Sequence, residues 1–388
     1  MKANALVAHG GGPTTALNAT LAGVIEEAQA GRIGRLWAPL GGLAGILRGD
    51  VIDLLSVPPT KLGKLARQSG SAIGSYRGKI GDGELDRIIQ FCRAREIRYF
   101  FYTGGNGSMG TAARLSRAAR KSAYELASCC IPKTIDNDIC ETDHCPGFGS
   151  AARFVAVAVR EIGLDQRALP TPVSIVEVMG RNTGWLAAAS ILARQKPDWP
   201  PHFVYVPETP FNPGEFLGRV DRLLRTQGWV VGVVAEGLRD ASGRMIAGTR
   251  GSSRDAKGRP LPGDVAAYLA RLVSKKLKVR ARSEKPGILC RAFSLCQSPV
   301  DAAEACAAGR FAVRSALNGK REVMVSLQRS GSKRYSCSLA LVPLSRVADR
   351  ERALPAEYIG DPGDIQDSYR PYVAPLIGPA MDLPVYLS

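Results

Sequence analysis

The strongest constraint on this chain is a repeated pattern in which an apolar strand runs into a glycine-rich turn and then into a helix. "ALVAHGGG" leads into "ALNATLAGVIEEAQA", "IRYFFYTGGNGS" into "GTAARLSRAARKS", and "VSIVEVMGRNTG" into "WLAAASILARQ". A further apolar run, "WVVGVVAEG", also ends in glycine. Short continuous apolar runs are typical of strands that are covered on both faces. Their alternation with helices predicts a doubly wound, largely parallel α/β fold.

The glycine turns predict phosphate binding. A glycine turn at the carboxyl end of a parallel strand exposes backbone N–H groups beside the positive end of a helix. One such turn is weak evidence, but three in one chain, with arginine or asparagine nearby, are stronger. A fourth stretch, "GSAIGSYRGK", carries Arg77, a residue type suited to bidentate phosphate contacts. Arg77 taken alone fits a surface turn equally well. The chain has no P-loop motif, and no G-x-G-x-x-G follows its first strand.

The stretch "PKTIDND" combines a lysine with two carboxylates. Phosphoryl transfer requires a base for the acceptor hydroxyl, cations for the moving group and backbone donors. Asp136 is suited to accept the proton of a sugar hydroxyl, and Asp138 to orient that hydroxyl or help hold Mg²⁺. Lys133 would place a positive charge against a phosphate. An Asx-type turn that caps the next helix accounts for the pattern equally well.

The formal net charge of +17 raises the possibility of nucleic-acid binding. The basic residues are spread from end to end, and no recognised nucleic-acid motif is present, so we expect no dedicated nucleic-acid site. A basic surface also suits an enzyme that acts on small polyanions.

The 388 residues contain no run of eighteen apolar residues. The first glycine turn follows the amino terminus too closely for a signal peptide. We therefore expect no membrane span and a cytoplasmic location.

The cysteines predict a reduced environment and no zinc cluster. Nine cysteines are scattered along the chain, an odd number with no framework of regular spacing. Cys140, His144 and Cys145 are close in sequence, but their spacing matches no common zinc pattern, so we expect no metal there.

Residues 239–263 are polar and rich in glycine and arginine, which predicts a loop or hairpin. We expect the tail from Arg346 onward to run over the surface of the protein.

Seven motifs together resemble the phosphofructokinase family, in that family's order and over nearly the whole chain. They are "GGGPTTALNATLAGVI", "GSAIGSYR", "YTGGNGSMGTA", "PKTIDNDI", "TDHCPGFGSAARF", "EVMGRNTGWLAAAS" and "VAEG". The resemblance is greatest to the pyrophosphate-dependent branch, through "PKTIDND", "PHFVYVPETPF" and "YRPYVAPLIG". The resemblance implies transfer of a phosphoryl group from pyrophosphate to the 1-hydroxyl of fructose 6-phosphate, with Mg²⁺. It also implies direct in-line transfer without a phosphoenzyme.

The resemblance also implies a role for each matching residue. The catalytic residues would be Asp136 as the base, with Lys133 and Arg181. The sugar phosphate would contact Thr134, Asp138, Met179, Gly180 and Glu236, with its 6-phosphate on Arg291. The donor phosphates would contact Gly11, Gly12, Arg77, Gly105, Gly107 and Ser108. Asn106 stands where many relatives have a magnesium-associated aspartate, with Asp136 or Asp138 as further possible ligands.

The sequence leaves the phosphoryl donor undecided, because two positions indicate different donors. Gly107 occupies the position where pyrophosphate enzymes of the family usually carry aspartate, and glycine there admits ATP. Lys133 indicates pyrophosphate, although lysine at this position together with glycine at the other also occurs in some ATP-dependent relatives. We favour pyrophosphate because of the wider similarity to that branch, and an ATP-dependent enzyme is the alternative.

The acceptor also has alternatives. Pro172 stands where many relatives have an arginine for the 6-phosphate, and Cys290, Phe293 and Ser294 change the segment around Arg291. A related sugar phosphate, such as sedoheptulose 7-phosphate, is therefore the second candidate. A non-catalytic sugar-phosphate-binding relative is the third, although the retained Asp136 and Arg181 argue against it.

The family's architecture implies two doubly wound, largely parallel α/β domains with the active site in the cleft between them. The predicted donor domain comprises residues 1–140 and about 250–310. The predicted sugar-phosphate domain comprises about 141–249 and 311–388, including a C-terminal extension. Subunit contacts complete the sugar site in relatives, which implies a homodimer or homotetramer.

Overall fold

The computed structural model describes residues 2–169, 171–247, 263–330 and 334–379. The chain forms two compact units. The first comprises Met1–Phe148 and Arg291–Arg352, and the second comprises Gly149–Cys290 and Ala353–Ser388. Neither unit is a continuous stretch of sequence.

Strands and helices alternate through most of the chain. The strands are β1 (Asn4–His9), β2 (Leu36–Pro39), β3 (Val51–Asp53), β4 (Ile97–Gly104), β5 (Ala127–Pro132), β6 (Val173–Val178), β7 (Phe203–Tyr205), β8 (Val230–Ala235), β9 (Ala281–Glu284), β10 (Val323–Arg329) and β11 (Cys337–Pro343). The helices are α1 (Leu17–Ala30), α2 (Leu43–Arg48), α3 (Pro59–Arg67), α4 (Asp82–Ala94), α5 (Asn106–Lys121), α6 (Phe148–Ala168), α7 (Trp185–Ala188), α8 (Pro213–Gln227), α9 (Val265–Leu277), α10 (Leu289–Ala292), α11 (Pro299–Leu317), α12 (Leu344–Val347) and α13 (Arg370–Val373). Among these helices, none is long and apolar enough to span a membrane.

A seven-stranded sheet forms the centre of the first unit, in the order β11-β10-β5-β4-β1-β2-β3. The strands from β10 to β2 pair in parallel. The two edge strands, β11 and β3, pair antiparallel with their neighbours. The predicted α/β class is confirmed, and the antiparallel edges are the feature that the sequence pattern did not predict. Strand β11 follows β10 through a short connection, which is too short for a parallel crossover. Strand β3 follows β2 through a connection that contains the short helix α2.

Both faces of this sheet are covered by helices, which explains the continuous apolar run of β1. Ala5 and Val7 face a cluster that includes residues of α1 and α11. Leu6 and Ala8 face a second cluster that includes residues of α4 and α5. Since successive side chains of a strand point to opposite faces, the run from Ala5 to Ala8 is apolar at every position because both faces are buried.

Helices α1 and α11 approach closely through two glycines. A Cβ atom on Gly23 would lie 2.0 Å from the carbonyl oxygen of Cys306, and one on Gly309 would lie 2.3 Å from that of Thr20. Only glycine allows backbones to approach this closely. The contact fixes α11, which lies late in the sequence, against the first helix of the chain.

The second unit has a four-stranded sheet in the order β7-β8-β6-β9, and all of its pairs are parallel. Its β6 and β8 are buried along their whole length. The C-terminal segment packs on this unit through aromatic contacts of Trp185 with Tyr358, Tyr369 and Tyr372. The hydroxyl group of Tyr369 donates a hydrogen bond to the carbonyl oxygen of Trp185 at 2.8 Å.

The predicted domain boundaries need correction. Residues 263–290, predicted to accompany the first domain, belong to the second unit, and residues 311–352 belong to the first. The physical reasons are strand pairing and helix packing: β9 pairs with β6, β10 pairs with β5, and α11 packs against α1. In the predicted loop 239–263, Arg239 and Met245 form an antiparallel bridge, and residues 248–262 lie outside the described residues.

The α1–α11 contact generates a stability prediction. We expect Gly23→Ala to lower the free energy of unfolding by about 1–3 kcal/mol, the usual cost of overpacking, because the new methyl group would collide with a carbonyl oxygen. Urea unfolding followed by circular dichroism measures the change. Gly63→Ala in α3 is the matched control, because nothing lies within 4 Å of the added Cβ. It should leave stability unchanged or raise it by up to about 1 kcal/mol. Equal effects of the two variants would contradict the close packing.

Candidate active site

The candidate site of the first unit lies at the carboxyl edge of its sheet. Strands β5, β4 and β1 are neighbours and run parallel, so the turns that follow them emerge side by side. These are the turns at Gly10–Gly12, at Gly105 and at 133–138. Ligands of open α/β sheets bind at this edge because the turns and the helix amino termini are exposed there.

Lys133 links two of these turns. Its backbone N–H donates to the carbonyl oxygen of Gly104 at 3.0 Å. Its ammonium group donates to the carbonyl oxygens of Gly10 and Gly12 at 2.9 and 2.6 Å. The side chain is almost fully buried. Burial, reinforced by the positive charges of Arg291 and Arg77, lowers the pKa of Lys133 to about 7.

Two arginines extend this cationic group over the first glycine turn. A Cβ atom on Gly12 would lie 2.0 Å from Nη1 of Arg291 and 2.9 Å from Nη2 of Arg77. Gly12 therefore allows both guanidinium groups to approach the backbone. Gly11 contributes a left-handed conformation, with φ of +80°. The position of Arg291 is unexpected, because the sequence predicted it among the sugar-phosphate residues, and three of those belong to the second unit.

The second glycine turn leads into α5. Gly105 is the N-cap residue, so no side chain caps this 16-residue helix, and the first turn carries no acidic residue. An uncapped helix amino terminus is suited to an anion. Asn106 and Gly107 form this first helical turn, whereas the sequence pattern placed them in the connection before the helix. The Ser108 side chain is buried and hydrogen-bonded to Tyr102, so its hydroxyl group is directed into the protein core.

Carboxylate and amide groups meet in the third turn. The side-chain nitrogen of Asn106 donates to Oδ2 of Asp138 at 2.9 Å. Thr134 also hydrogen-bonds to Asp138, and its hydroxyl oxygen accepts the backbone N–H of Asp136 at 3.1 Å. Both aspartates are partly exposed. Burial of the carboxyl group and the nearby charge of Glu351 raise the pKa of Asp138 to about 6.

This group of oxygen atoms fits a hard divalent cation. Oδ1 of Asn106 is buried and has no hydrogen-bond partner among the described residues. A buried acceptor without a partner is costly, and a cation would satisfy it. Carboxylate and amide oxygens are the ligands that Mg²⁺ prefers. Asn106, with Asp138 or Asp136, therefore has the chemistry predicted for a magnesium site.

Sequence reasoning missed two residues that shape this site. The guanidinium group of Arg352 donates to the carbonyl oxygens of Asn137 and Asp143 at 3.0 and 2.9 Å. The backbone N–H of Arg352 donates to the carbonyl oxygen of Asp138 at 2.7 Å. His9 ends β1 and is fully buried, and burial with the charge of Lys133 lowers its pKa to about 3. Arg352 lies more than two hundred residues from the turn it fixes, so no local pattern indicates its role.

The second unit brings together four of the predicted sugar-phosphate and catalytic residues. Met179, Gly180 and Arg181 follow β6, and Gly180 has φ of +143°. The backbone N–H of Arg181 donates to Oε1 of Glu236 at 3.1 Å. Burial raises the pKa of Glu236. The Cys290 thiol is hydrogen-bonded to the Met179 backbone.

The fold and the first-unit site are typical of α/β proteins that bind phosphorylated small molecules. The Phosphofructokinase family model matches residues 4–316. The chain belongs to the phosphofructokinase family.

Comparison with individual proteins also places the chain in this family. The chain is 39% identical over 383 residues to "Pyrophosphate--fructose 6-phosphate 1-phosphotransferase" of Xanthomonas campestris pv. campestris (strain B100), covering 96% of this chain and 91% of that protein. It is 31% identical to "Sulfofructose kinase" of Alkalicoccus urumqiensis, covering 91% of each. A solved structure described as pyrophosphate-dependent phosphofructokinase from Marinobacter aquaeolei is 36% identical, with a TM-score of 0.88, covering 99% of this chain and 94% of that one.

The cationic cluster generates a prediction about Lys133. We expect its pKa to be near 7 rather than the ordinary 10.5, measured by NMR of isotope-labelled lysine. Arg291→Gln should raise this pKa by about one pH unit, because it removes a like charge beside the ammonium group. Arg350→Gln is the control, since Arg350 is exposed and belongs to the same unit. A wild-type pKa near 10.5, or an equal response to both variants, would disprove the clustering of charge around Lys133.

Proposed function

We propose that this chain transfers a phosphoryl group from pyrophosphate to the 1-hydroxyl group of fructose 6-phosphate, giving fructose 1,6-bisphosphate and orthophosphate. The observation that carries the proposal is the convergence of Lys133, Arg77 and Arg291 on the Gly10–Gly12 turn, beside the carboxylates of the 133–138 turn. Three cationic groups suit a small, highly charged donor. The name of the Xanthomonas campestris relative supports the same donor and acceptor.

In the proposed reaction, the carboxylate of Asp136 accepts the proton of the 1-hydroxyl group. The oxygen atom of that hydroxyl then forms a bond to the terminal phosphorus of pyrophosphate, as the bond from this phosphorus to the bridging oxygen breaks. Orthophosphate leaves with the electron pair of the broken bond. Lys133 and Arg77 neutralise the charge of the donor, and Arg181 stabilises the moving group. The backbone N–H groups at the start of α5 orient the donor oxygens.

We propose Asn106, with Asp138 or Asp136, as the residues that hold Mg²⁺. The unpartnered Oδ1 of Asn106 supports this choice. When bound there, Mg²⁺ supplies charge neutralisation at the phosphate oxygens. The raised pKa of Asp138 means that metal binding competes with a proton below about pH 6.

The first unit would bind the donor, and the second unit would contribute Met179, Gly180 and Glu236 to the sugar phosphate. The same sugar-phosphate role is proposed for Thr134 and Asp138 of the first unit. We also propose a homodimer or homotetramer, and a sedimentation mass equal to one chain would contradict it.

Two alternatives rest on specific residues. Gly107 favours ATP as donor, since this position lacks the aspartate expected of pyrophosphate enzymes. Pro172 and Cys290 favour a different acceptor, such as sedoheptulose 7-phosphate or the sulfofructose of the named relative. A non-catalytic relative is the third alternative, and turnover with any sugar phosphate would contradict it.

The test of the proposal is an assay with fructose 6-phosphate and Mg²⁺, run in parallel with pyrophosphate and with ATP. We expect turnover with pyrophosphate to exceed turnover with ATP, and the reaction to run in reverse from fructose 1,6-bisphosphate and orthophosphate. Asp136→Asn should lower kcat by about 10²–10⁴-fold, because the base is lost. Asp86→Asn, an exposed change in α4, should have no effect.

Each alternative has its own outcome in this assay. Turnover with ATP alone would make Gly107 the residue that decides the donor. Turnover only with another sugar phosphate would overturn the acceptor. Full activity of Asp136→Asn would remove Asp136 from the base role.

The position of Arg291 supports a donor role that differs from the sequence prediction. Because Arg291 approaches Gly12, we expect Arg291→Gln to raise KM for pyrophosphate by about ten- to a hundredfold, the effect of losing hydrogen bonds to a charged group. KM for fructose 6-phosphate should change less. Steady-state kinetics with each substrate varied in turn measures both, with Arg350→Gln as control. A larger rise in KM for the sugar would instead support the 6-phosphate role.

A further inference from the structure

Four polar side chains outside the proposed reaction form a cluster in the first unit. They are His144, Glu304, Tyr335 and Cys337. A ring nitrogen of His144, a carboxylate oxygen of Glu304 and Sγ of Cys337 all lie within 4.8 Å of one another. These three residues come from a loop, from α11 and from the start of β11. No local spacing in the sequence therefore indicates the cluster.

The loop that carries His144 is fixed on both sides. The hydroxyl group of Thr142 accepts the backbone N–H of Leu327 at 2.9 Å, which attaches the loop to β10. The backbone N–H of Gly147 donates to Oδ1 of Asp301 at 2.8 Å, which attaches it to α11. The position of the imidazole ring is thus set by the surrounding backbone.

The imidazole makes its polar contacts on one side. Nε2 of His144 lies 2.6 Å from Oε2 of Glu304 and 3.4 Å from the hydroxyl oxygen of Tyr335. Tyr335 donates to the other oxygen of Glu304, which orients the carboxylate. Nδ1 of His144 is buried and has no hydrogen-bond partner within the described ranges. His144 is itself almost fully buried.

The thiol of Cys337 lies in negative surroundings. Burial and the charges of Glu304 and Asp143 raise its pKa to about 12. Arg329 is the neighbouring positive group, and its guanidinium lies over the ring of Tyr335. A thiolate beside a carboxylate is costly unless a cation lies between them. A bound metal ion reverses this cost and deprotonates the thiol.

We propose that His144, Glu304 and Cys337 bind a divalent cation of the zinc class. A set of one nitrogen, one oxygen and one sulfur ligand suits Zn²⁺, whereas Mg²⁺ and Ca²⁺ take oxygen ligands. Tetrahedral coordination at the usual Zn²⁺ bond lengths requires ligand atoms roughly 3.3–3.6 Å apart. The hydrogen-bonded pair of Nε2 and Oε2 must widen from 2.6 Å, as the proton between them is replaced by the cation. The hydroxyl group of Tyr335, or water, completes the four ligands.

Such a cation would link three segments of the first unit. The 142–147 loop, α11 and the antiparallel edge strand β11 would share one set of coordination bonds. This role is structural, and it goes beyond the proposed phosphoryl transfer without depending on it. Zinc binding at this position would release protons, so that it weakens as the pH falls.

The experiment is a cobalt titration of the chelator-treated full-length chain, with neither sugar phosphate nor pyrophosphate present. Co²⁺ bound to a thiolate gives a ligand-to-metal charge-transfer band in the near ultraviolet. We expect the band to saturate at one thiolate-bound Co²⁺ per chain, and Zn²⁺ to displace that Co²⁺ and abolish the band. Cys337→Ser should abolish the band and weaken Co²⁺ binding by at least about tenfold, as loss of a metal-site partner does.

Matched variants keep the test decisive. Cys140→Ser removes another partly buried thiol of the same unit and should leave the band unchanged. Glu304→Gln should weaken Co²⁺ binding while keeping the thiol, and it replaces Cys337→Ser if circular dichroism shows that the latter is unfolded. Asp136→Asn should keep the charge-transfer band of the wild type, so failure of the phosphotransferase proposal leaves this readout unaffected. Absence of the band in the wild type, or its survival in Cys337→Ser, would overturn the proposal.

Discussion

The ammonium group of Lys133 holds together the sheet edge on which the first-unit site is built. It bridges the carbonyl oxygens of Gly10 and Gly12, while its own backbone follows β5. The turns that follow β5 and β1 are thereby linked by one buried cation. The cost of burying that charge is visible in its lowered pKa, and it would be offset when an anion binds beside it. A cation held in this way is ready for a polyanion, because its position does not have to be organised on binding.

The carboxylate side of the site depends on a second set of constraints. Arg352 holds the backbone of the 133–138 turn through the carbonyl oxygens of Asn137 and Asp138, and Asn137 itself has φ of +55°. The side chain of Asn137 accepts the N–H of Cys145 at 3.0 Å. The turn is therefore fixed by contacts on either side of its two carboxylates. This rigidity suits a base that must meet one hydroxyl group in one orientation.

The opposite charges of the site are segregated along the sheet edge. Lysine and arginine groups gather over the turn after β1, and carboxylate and amide oxygens gather in the turn after β5. The uncapped start of α5 follows β4, which lies between these two strands. A donor with several negative charges and a divalent cation would each find complementary groups there. The separation follows from strand order, since β5, β4 and β1 are consecutive in the sheet although β1 lies far from them in sequence.

Much of the local organisation could be predicted from the sequence. The apolar run of β1 indicated a strand buried on both faces, and the glycines after β1 and β4 indicated turns suited to phosphate. The "PKTIDND" stretch indicated the carboxylates and the lysine. These signals are local, because they depend on side-chain period, on glycine's conformational freedom and on the chemistry of adjacent residues. The motif order was also sufficient to identify the family.

Tertiary structure determined which distant residues meet, and local sequence patterns do not contain that information. The approach of Arg291 to Gly12, the clamp of Arg352 on the 133–138 turn and the meeting of His144 with Glu304 and Cys337 all join residues far apart in the chain. The unit boundaries were decided in the same way, by pairing of β10 with β5 and packing of α11 on α1. Sequence determines which groups are available at each turn. Only the strand order and helix packing determine which of those groups meet, because both are set by burial across the whole chain rather than by neighbouring residues.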